Sequence, residues 1–284
     1  MKNKIYIIGI GPGQEDMMTG EAIKALEQAD VIVGYTVYLN LLGSRFQDKE
    51  LISTSMGREE ERCRICFTEA EKGKRAALIC SGDAGIYGMA SLMYKIAGQY
   101  PNTELTVIPG VTAASSGAAV LGAPVSHDFC TVSLSDLLTP WEVIEKRLDS
   151  AAKGDFVIVI YNPSSHKRKD YLKRACDILL QTIDGSRACG YVENIGRRGT
   201  KAYVCTLEEL RYREVTMFTT VFIGNSDSEI IDGKLITKRG YKIERSADIC
   251  GNNGREGTVG ISGSGRGSPQ NLRGNGIRGD CIKT

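Results

Sequence analysis

Histidine is nearly missing from this chain: 284 residues contain two, His127 and His166. Neither stands in a Ser-His-Asp arrangement or in a metal-ligand cluster. No apolar run reaches the ~20 residues that a membrane span needs. The apolar start, MKNKIYIIGIGPG, is cut by glycine and proline, so it reads as a first β-strand rather than a secretory leader. A formal net charge of only +2 gives no strong pull toward nucleic acid or an anionic membrane. The dinucleotide fingerprint GxGxxG would need a glycine at position 14, which is Gln14, and there is no GxxxxGKS/T phosphate loop. A cytoplasmic location is the default expectation.

Cysteine is the opposite case. Nine are present, an odd number, and they are scattered. Cys80, Cys189 and Cys205 fall in apolar strand-like runs, which favours buried reduced thiols over a disulfide framework. Cys63 and Cys66 form a lone CxxC in a polar, helix-like stretch. Without a second pair this is weak support for metal or redox chemistry.

The length suits one large or two modest domains, and 42% apolar with 25% charged residues is ordinary for a soluble protein. Strand-like runs alternate with helical patterns: KIYIIGI (4–10), a helix capped by Thr19, DVIVG (30–34), a helix over 58–72, AALIC (76–80), a helix near 88–98, ELTVI (104–108), then a small-residue helix. This rhythm predicts an α/β domain with a largely parallel sheet. A second set follows Gly122. FCTVSLSD (129–136) reads as a strand, and Thr139 with Pro140 opens a helix. DFVIVIYN (155–162), a helix over 165–181 and strands at 187–194, 201–207 and 217–225 complete a more mixed sheet. The alanine- and glycine-rich stretch at 115–124 marks the boundary. The expected fold is therefore two α/β domains, 1–118 and 119–245. Residues 246–284 are rich in glycine, serine, asparagine and arginine and carry almost no apolar periodicity. They read as a disordered tail or a segment unrelated to the fold.

Three glycine-containing loops follow three strands: Gly9-Ile10-Gly11-Pro12-Gly13, Ser81-Gly82-Asp83-Ala84-Gly85-Ile86-Tyr87-Gly88 and Pro109-Gly110-Val111-Thr112-Ala113. Glycine lets a backbone turn sharply and approach a ligand closely, and ligands of open α/β sheets bind at the carboxyl ends of strands. Each loop alone is also compatible with a plain turn or a helix cap, Asp83 included. Together they predict one concave site for a small organic cofactor.

In order and spacing, GIGPG, SGDAGIYG and PGVTA resemble the tetrapyrrole methylases, the class III S-adenosylmethionine-dependent methyltransferases. VGYTVYLNLL (33–42), SHDFCTVSLSDLLTPW (126–141), VIYNPSSHKRKDYL (159–172), ENIGRRGT (193–200) and TTVFIGNS (219–226) look like the subfamily that methylates carbon 17 of precorrin-3B or of cobalt-factor III. The resemblance covers about residues 3–244. It implies two α/β domains with the cofactor cleft between them, in a homodimer. By position, the cofactor contacts would be Pro12, Gly82, Asp83, Ile86, Thr112, Ala113, Asn162, Thr219 and Thr220. The family's loop usually reads GGDPGIYG; here Ser81 replaces the first glycine and Ala84 fills a variable place, and Asp83 is kept.

The chemistry implied is S-adenosylmethionine-dependent transfer of a methyl group to an electron-rich ring carbon, coupled to ring contraction, with no metal. Such a transfer needs mainly alignment. Contraction calls for a proton donor or acceptor, and His127 or Asp128 is the candidate, unless His127 is a structural residue. Ser135 and Asp136 would place the substrate. Arg58, Arg197 and Arg198, with the 166–169 basic run, are candidates for its carboxylates. The alternatives are another ring position, a diphthine or ribosomal RNA methyltransferase of the same fold, or a cofactor-binding protein without catalysis. Neither nucleic acid nor membrane is expected as a partner. Whether the substrate holds cobalt stays open, with a slight lean to the anaerobic, cobalt-containing route.

Overall fold

A computed structural model of the chain describes residues 3–165 and 167–241. His166 and the expected tail at 246–284 lie outside the described residues.

The first half runs β1 (Asn3–Gly9), α1 (Gly20–Gln28), β2 (Val31–Tyr35), α2 (Thr36–Leu39), β3 (Glu50–Thr54), α3 (Glu59–Glu71), β4 (Ala76–Cys80), α4 (Ala90–Ala97), β5 (Thr103–Ile108) and α5 (Ala113–Leu121). Its five strands make one parallel sheet in the order β3-β2-β4-β1-β5. A parallel sheet covered on both faces demands apolar residues at successive positions. Ile7 and Ile8 on β1, and Leu78 and Ile79 on β4, are fully buried accordingly. Phe67 of α3 and Met93 of α4 close one face, and Leu26 of α1 closes the other. Each such large side chain contributes roughly 1.5–3 kcal/mol. Thr19 caps α1 as expected, its Oγ1 accepting the Ala22 N–H at 3.1 Å. β3 was not expected. It is an edge strand with Leu51 46% exposed, so it lacks the apolar run that marks the inner strands.

Cys63 and Cys66 sit three apart on the inner side of α3, both fully buried. Burial pushes the Cys63 thiol up to about 12. These two are protonated packing groups in the first core.

The second half runs β6 (Gly122–Ala123), β7 (Phe129–Ser133), α6 (Trp141–Lys153), β8 (Val157–Tyr161), α7 (Tyr171–Leu179), β9 (Ala188–Glu193), β10 (Lys201–Thr206), α8 (Leu207–Leu210), β11 (Thr219–Ile223), β12 (Ser228–Ile231) and β13 (Lys234–Thr237). Its main sheet has the order β10-β9-β11-β8-β7. Only β7–β8 is parallel; β8–β11, β11–β9 and β9–β10 are antiparallel. β12 and β13 join β6 in a small third sheet. Leu148 of α6 and Leu172 of α7 bury one face of the main sheet. The other face takes α5, against Val159, Val192 and Phe222. A Cβ on Gly117 would stand 2.9 Å from Phe222 Cζ, which is why this helix is built of small residues. The expected boundary at 118/119 falls inside α5.

Two helices start later than the sequence suggests. Pro140 is extended (ψ 144°) and forms the N-cap, so α6 begins at Trp141. Ser165 and Arg168 exchange backbone hydrogen bonds of 3.3 and 3.0 Å in a tight turn, which delays α7 to Tyr171.

Candidate functional site

The three glycine loops leave the carboxyl ends of β4, β1 and β5, which are neighbours in the sheet. Their backbones therefore touch. The N–H of Gly11 donates to the Gly82 carbonyl at 3.0 Å, and that of Gly82 to the Gly11 carbonyl at 2.7 Å. A Cβ on Gly110 would stand 2.2 Å from the Gly82 oxygen and 2.6 Å from the Gly9 carbonyl carbon, so no side chain fits there. Asp83 locks the set. One of its oxygens accepts the N–H groups of Gly85 and Ile86 at 2.7 and 3.0 Å, and the other accepts Gly110 N–H at 2.9 Å. Its carboxylate thus organises the loops from within.

Side chains from the second half close the opposite wall. Tyr161, at the end of β8, accepts the Ala114 N–H at 2.8 Å and shares a 2.5 Å hydrogen bond with Thr112 Oγ1. Burial pushes its phenol above the ordinary value, so it keeps its proton. Asn162 follows in the left-handed region (φ 52°), and its Nδ2 donates to Ser133 Oγ at 2.9 Å. Tyr87 is also left-handed (φ 54°). Its ring lies 4.9 Å from that of Tyr161, and its hydroxyl donates to Thr131 Oγ1 on β7 at 3.2 Å. The turn after β9 meets the first loop backbone to backbone: a Cβ on Gly13 would overlap the Gly196 oxygen. Three non-glycine residues at positive φ line this cavity, Tyr87, Asn162 and Asn194; asparagine tolerates that region, whereas the bulky Tyr87 is strained in it.

Between these walls lies a cleft open to solvent, with about 780 Å³ of empty space. All nine positions expected to contact a cofactor line it: Pro12, Gly82, Asp83, Ile86, Thr112, Ala113, Asn162, Thr219 and Thr220. Ile86, Met217 and Phe218 give it apolar surface beside the hydroxyls of Thr112 and Thr219.

The other expected residues are spread out. Arg197 lines the cavity. Ser135 and Asp136 stand just beyond it, tied together by Arg168, which donates to Ser135 Oγ at 3.1 Å and pairs with Asp136 at 3.2 Å. The Ser135 N–H donates to Ser133 Oγ at 3.2 Å, which links this group to Asn162. Arg198 is exposed. Arg58 is not brought in. It precedes α3 beyond the edge strand β3, 65% exposed and paired with Glu61 at 3.1 Å. β3 stands two strands from β4, about 10 Å away at the usual spacing. His127 and Asp128 are not brought into the cavity either. They precede β7 at its amino end, six residues before Ser133, roughly 20 Å down an extended strand. The Asp128 N–H donates to His127 Nδ1 at 2.8 Å, and both side chains are exposed. Sequence reasoning missed Tyr38, Tyr87, Tyr161 and Phe218. All four fall inside or adjoin motifs already singled out, and aromatic residues in or beside such motifs were the available signal.

Residues 4–211 match the family model of the tetrapyrrole (corrin/porphyrin) methylases. A probable cobalt-factor III C(17)-methyltransferase of Salmonella typhimurium is 46% identical over 84% of this chain and 100% of its own. A precorrin-3B C(17)-methyltransferase of a Sinorhizobium species is 35% identical over 82% of this chain and 92% of its own. Some relatives are longer: the match spans 46% of a cobalt-factor III methyltransferase of Priestia megaterium. The crystal structure of the methyltransferase CobJ superposes with a TM-score of 0.77 at 33% identity, covering 83% of this chain and 100% of that one. With the loops, the cavity and these matches in agreement, the chain belongs to the tetrapyrrole (corrin/porphyrin) methylases.

Proposed function

We propose that this protein is an S-adenosylmethionine-dependent C-methyltransferase of corrin biosynthesis that methylates carbon 17 of cobalt-factor III, or of precorrin-3B, with coupled ring contraction. The observation that carries this reading is the single cavity in which all nine expected cofactor positions meet. Its lining suits such a donor. Ile86, Met217 and Phe218 offer apolar surface for a purine, and Thr112, Asn162, Asn194 and Thr219 offer hydrogen-bonding groups for a ribose and an amino-acid end.

When bound, the sulfonium donor supplies a methyl carbon already activated for in-line displacement. The protein's part is alignment and exclusion of water. The zipped loops at Gly11, Gly82 and Gly110 form a floor that cannot yield without breaking backbone contacts. Tyr161 ties the loop after β5 to the second sheet, so the two walls keep a fixed separation. Asn162 faces the cavity and leans on Ser133.

Acid–base help from His127 or Asp128 requires the macrocycle to extend along the outer face of β7. There Thr131 meets Tyr87, and Phe129 is 45% exposed. Ser135 and Asp136, with Arg168, then flank the ring near the cavity end of that face. Arg58 and Arg198 remain candidates for its outermost carboxylates. A cytoplasmic homodimer completes the proposal. Among the described residues no helix is long and apolar enough to cross a membrane.

The test is mass spectrometry and absorbance spectroscopy of the product formed from purified protein, S-adenosylmethionine and cobalt-factor III, with precorrin-3B in parallel. A product carrying one added methyl at carbon 17 and a contracted ring is expected. Methylation at another carbon, or none on either substrate, rejects the reading. In the same assay His127→Ala should separate the steps, leaving methylation and losing contraction. An unchanged product removes His127 from the mechanism.

A further inference from the structure

Arg197 is the one cation among the residues that line the cavity. Its Nε donates to the Pro12 carbonyl at 3.2 Å and its Nη2 to Ser81 Oγ at 3.3 Å. The guanidinium lies 4.7 Å from the centre of the Phe218 ring and 5.9 Å from that of Tyr38. Every one of these partners is neutral. Among the described residues no carboxylate pairs with it. Asp83, the carboxylate of the same cavity, is already engaged by three backbone N–H groups. Burial pulls the arginine's pKa below its ordinary value, yet a guanidinium does not give up its proton in a protein. The result is a part-buried positive charge held in a fixed orientation with no carboxylate beside it, which is costly in the free protein. Arg168 makes the contrast, because it stands just outside the cavity and has Asp136 as its partner.

We infer that Arg197 receives a carboxylate of the bound ligand, and that Ser81 is the residue that aims it. This rests on the methyl-transfer reading, since both reactants named there carry carboxylates: the amino-acid end of the donor, and the acetate and propionate arms of the ring. A planar fork binds a carboxylate through two parallel hydrogen bonds, provided that the fork is held still. Pro12, on the first loop, and Ser81, on the second, hold it from one side, and Phe218 packs beside it. The Ser81 hydroxyl is the only side-chain group that accepts from the Arg197 guanidinium among the described residues, and a glycine at position 81 would have none to offer Nη2. The serine is therefore a determinant of how this cavity reads an anion.

The experiment uses the full-length chain and needs no turnover. S-Adenosylhomocysteine, and its analogue lacking the carboxylate, are titrated calorimetrically into the wild type and into Arg197→Met, Arg197→Lys and Ser81→Gly. Cobalt-factor III is titrated by its absorbance. Loss of a charge-assisted hydrogen bond in a part-buried site corresponds to about ten- to a hundredfold in affinity. If the donor's carboxylate is the anion, Arg197→Met weakens S-adenosylhomocysteine by that factor, leaves the decarboxylated analogue unchanged, and leaves cobalt-factor III unchanged. If a ring carboxylate is the anion, the loss falls on cobalt-factor III, and both nucleoside ligands bind as before. In either case Arg197→Lys retains part of the affinity, because it keeps the charge without the fork, and Ser81→Gly shows a smaller loss of the same ligand. Arg197→Met binding all three ligands like the wild type overturns the proposal. So does an equal loss of the analogue and its parent, which points to packing rather than charge. Arg197→Lys serves where the methionine variant fails to fold. A wild type that binds S-adenosylhomocysteine yet methylates neither tetrapyrrole overturns the functional reading alone.

Discussion

The first sheet gives the cavity backbone, and the second gives it side chains. On one wall Gly9 and Gly110 lie against each other and against the Gly82 carbonyl with no room for a Cβ, Gly82 turns at a positive φ of 68°, and Asp83 is consumed in holding them. On the other, Tyr161, Asn162, Arg197 and Phe218 present a phenol, an amide, a cation and a ring. The difference follows from the sheets. In a parallel sheet, neighbouring strands release their chains at the same end, so three turns come together and compete for one space, which selects glycine. In the mixed sheet, chains arrive at the cavity in both directions. Thr219 starts β11 there, while Tyr161 ends β8 and Asn194 follows β9. Strands that both start and end at a site leave room for side chains between them. A rigid floor built mainly of backbone, with Ser81, Ile86 and Thr112 as its side-chain contributions, faces a wall that recognises through side chains.

The sharpest attack on this contrast is Gly110→Ala. The added methyl would stand 2.2 Å from the Gly82 oxygen, and no flexible side chain is available to move aside. Overpacking against backbone in a dry junction costs about 2–4 kcal/mol. Separating the loops should abolish detectable S-adenosylhomocysteine binding. Denaturant unfolding and calorimetry measure the two losses. Tyr161→Phe attacks the other wall and should do less. It leaves the ring in place but strips the Ala114 N–H of its acceptor and Thr112 of its partner. One orphaned buried donor costs about 1–3 kcal/mol, and the affinity should fall without vanishing. If Tyr161→Phe abolishes binding and Gly110→Ala does not, the assignment of floor and wall is reversed.

The same contrast decides what could be read in advance. The first wall was legible because its requirement falls on residue type. Only glycine fits the junction, and GIGPG, SGDAG and PGVTA advertise that. The strands feeding it were legible too, since inner parallel strands such as IYIIG and ALIC are apolar at nearly every position. The second wall was legible only through the family resemblance, which placed Asn162, Thr219 and Thr220. Periodicity had no means to bring Tyr161 to Thr112, a contact across 49 residues, or Arg197 to Pro12, across 185. Two of the edge strands escaped for a related reason. β3 and β12 are half-exposed and therefore lack the apolar signature. His127 illustrates the limit of reasoning from scarcity. Being one of two histidines made it conspicuous, but its place at the amino end of β7 is set by the direction of that strand.

The smallest expected effect comes from the end of the first sheet that faces away from the cavity. Asp30 precedes β2 and Arg75 precedes β4, so their pair spans the amino ends of neighbouring strands. Arg75 donates through Nη2 to Oδ1 at 2.9 Å, and through Nε and its backbone N–H to Oδ2 at 3.2 and 2.8 Å. These bonds, the side-chain ones first, hold the Asp30 carboxyl down at about 2. A carboxyl whose pKa is lower folded than unfolded stabilises the fold above its unfolded value, near 4, and loses that contribution as pH falls through the folded one. The window therefore runs from about pH 4 down to about pH 2. Both side chains are about half exposed, so solvent and salt screen the pair, and its worth at neutral pH is about 0.5–1 kcal/mol. Asp30→Asn should lower the unfolding free energy by that much at pH 7, with the deficit closing as the buffer is taken toward pH 2 and shrinking in high salt. S-Adenosylhomocysteine affinity should not change, because the amino ends of these strands anchor the sheet while the carboxyl ends build the floor. An altered affinity in Asp30→Asn would mean that the floor is not rigid, and that strain travels along β4 into the loop at Gly82.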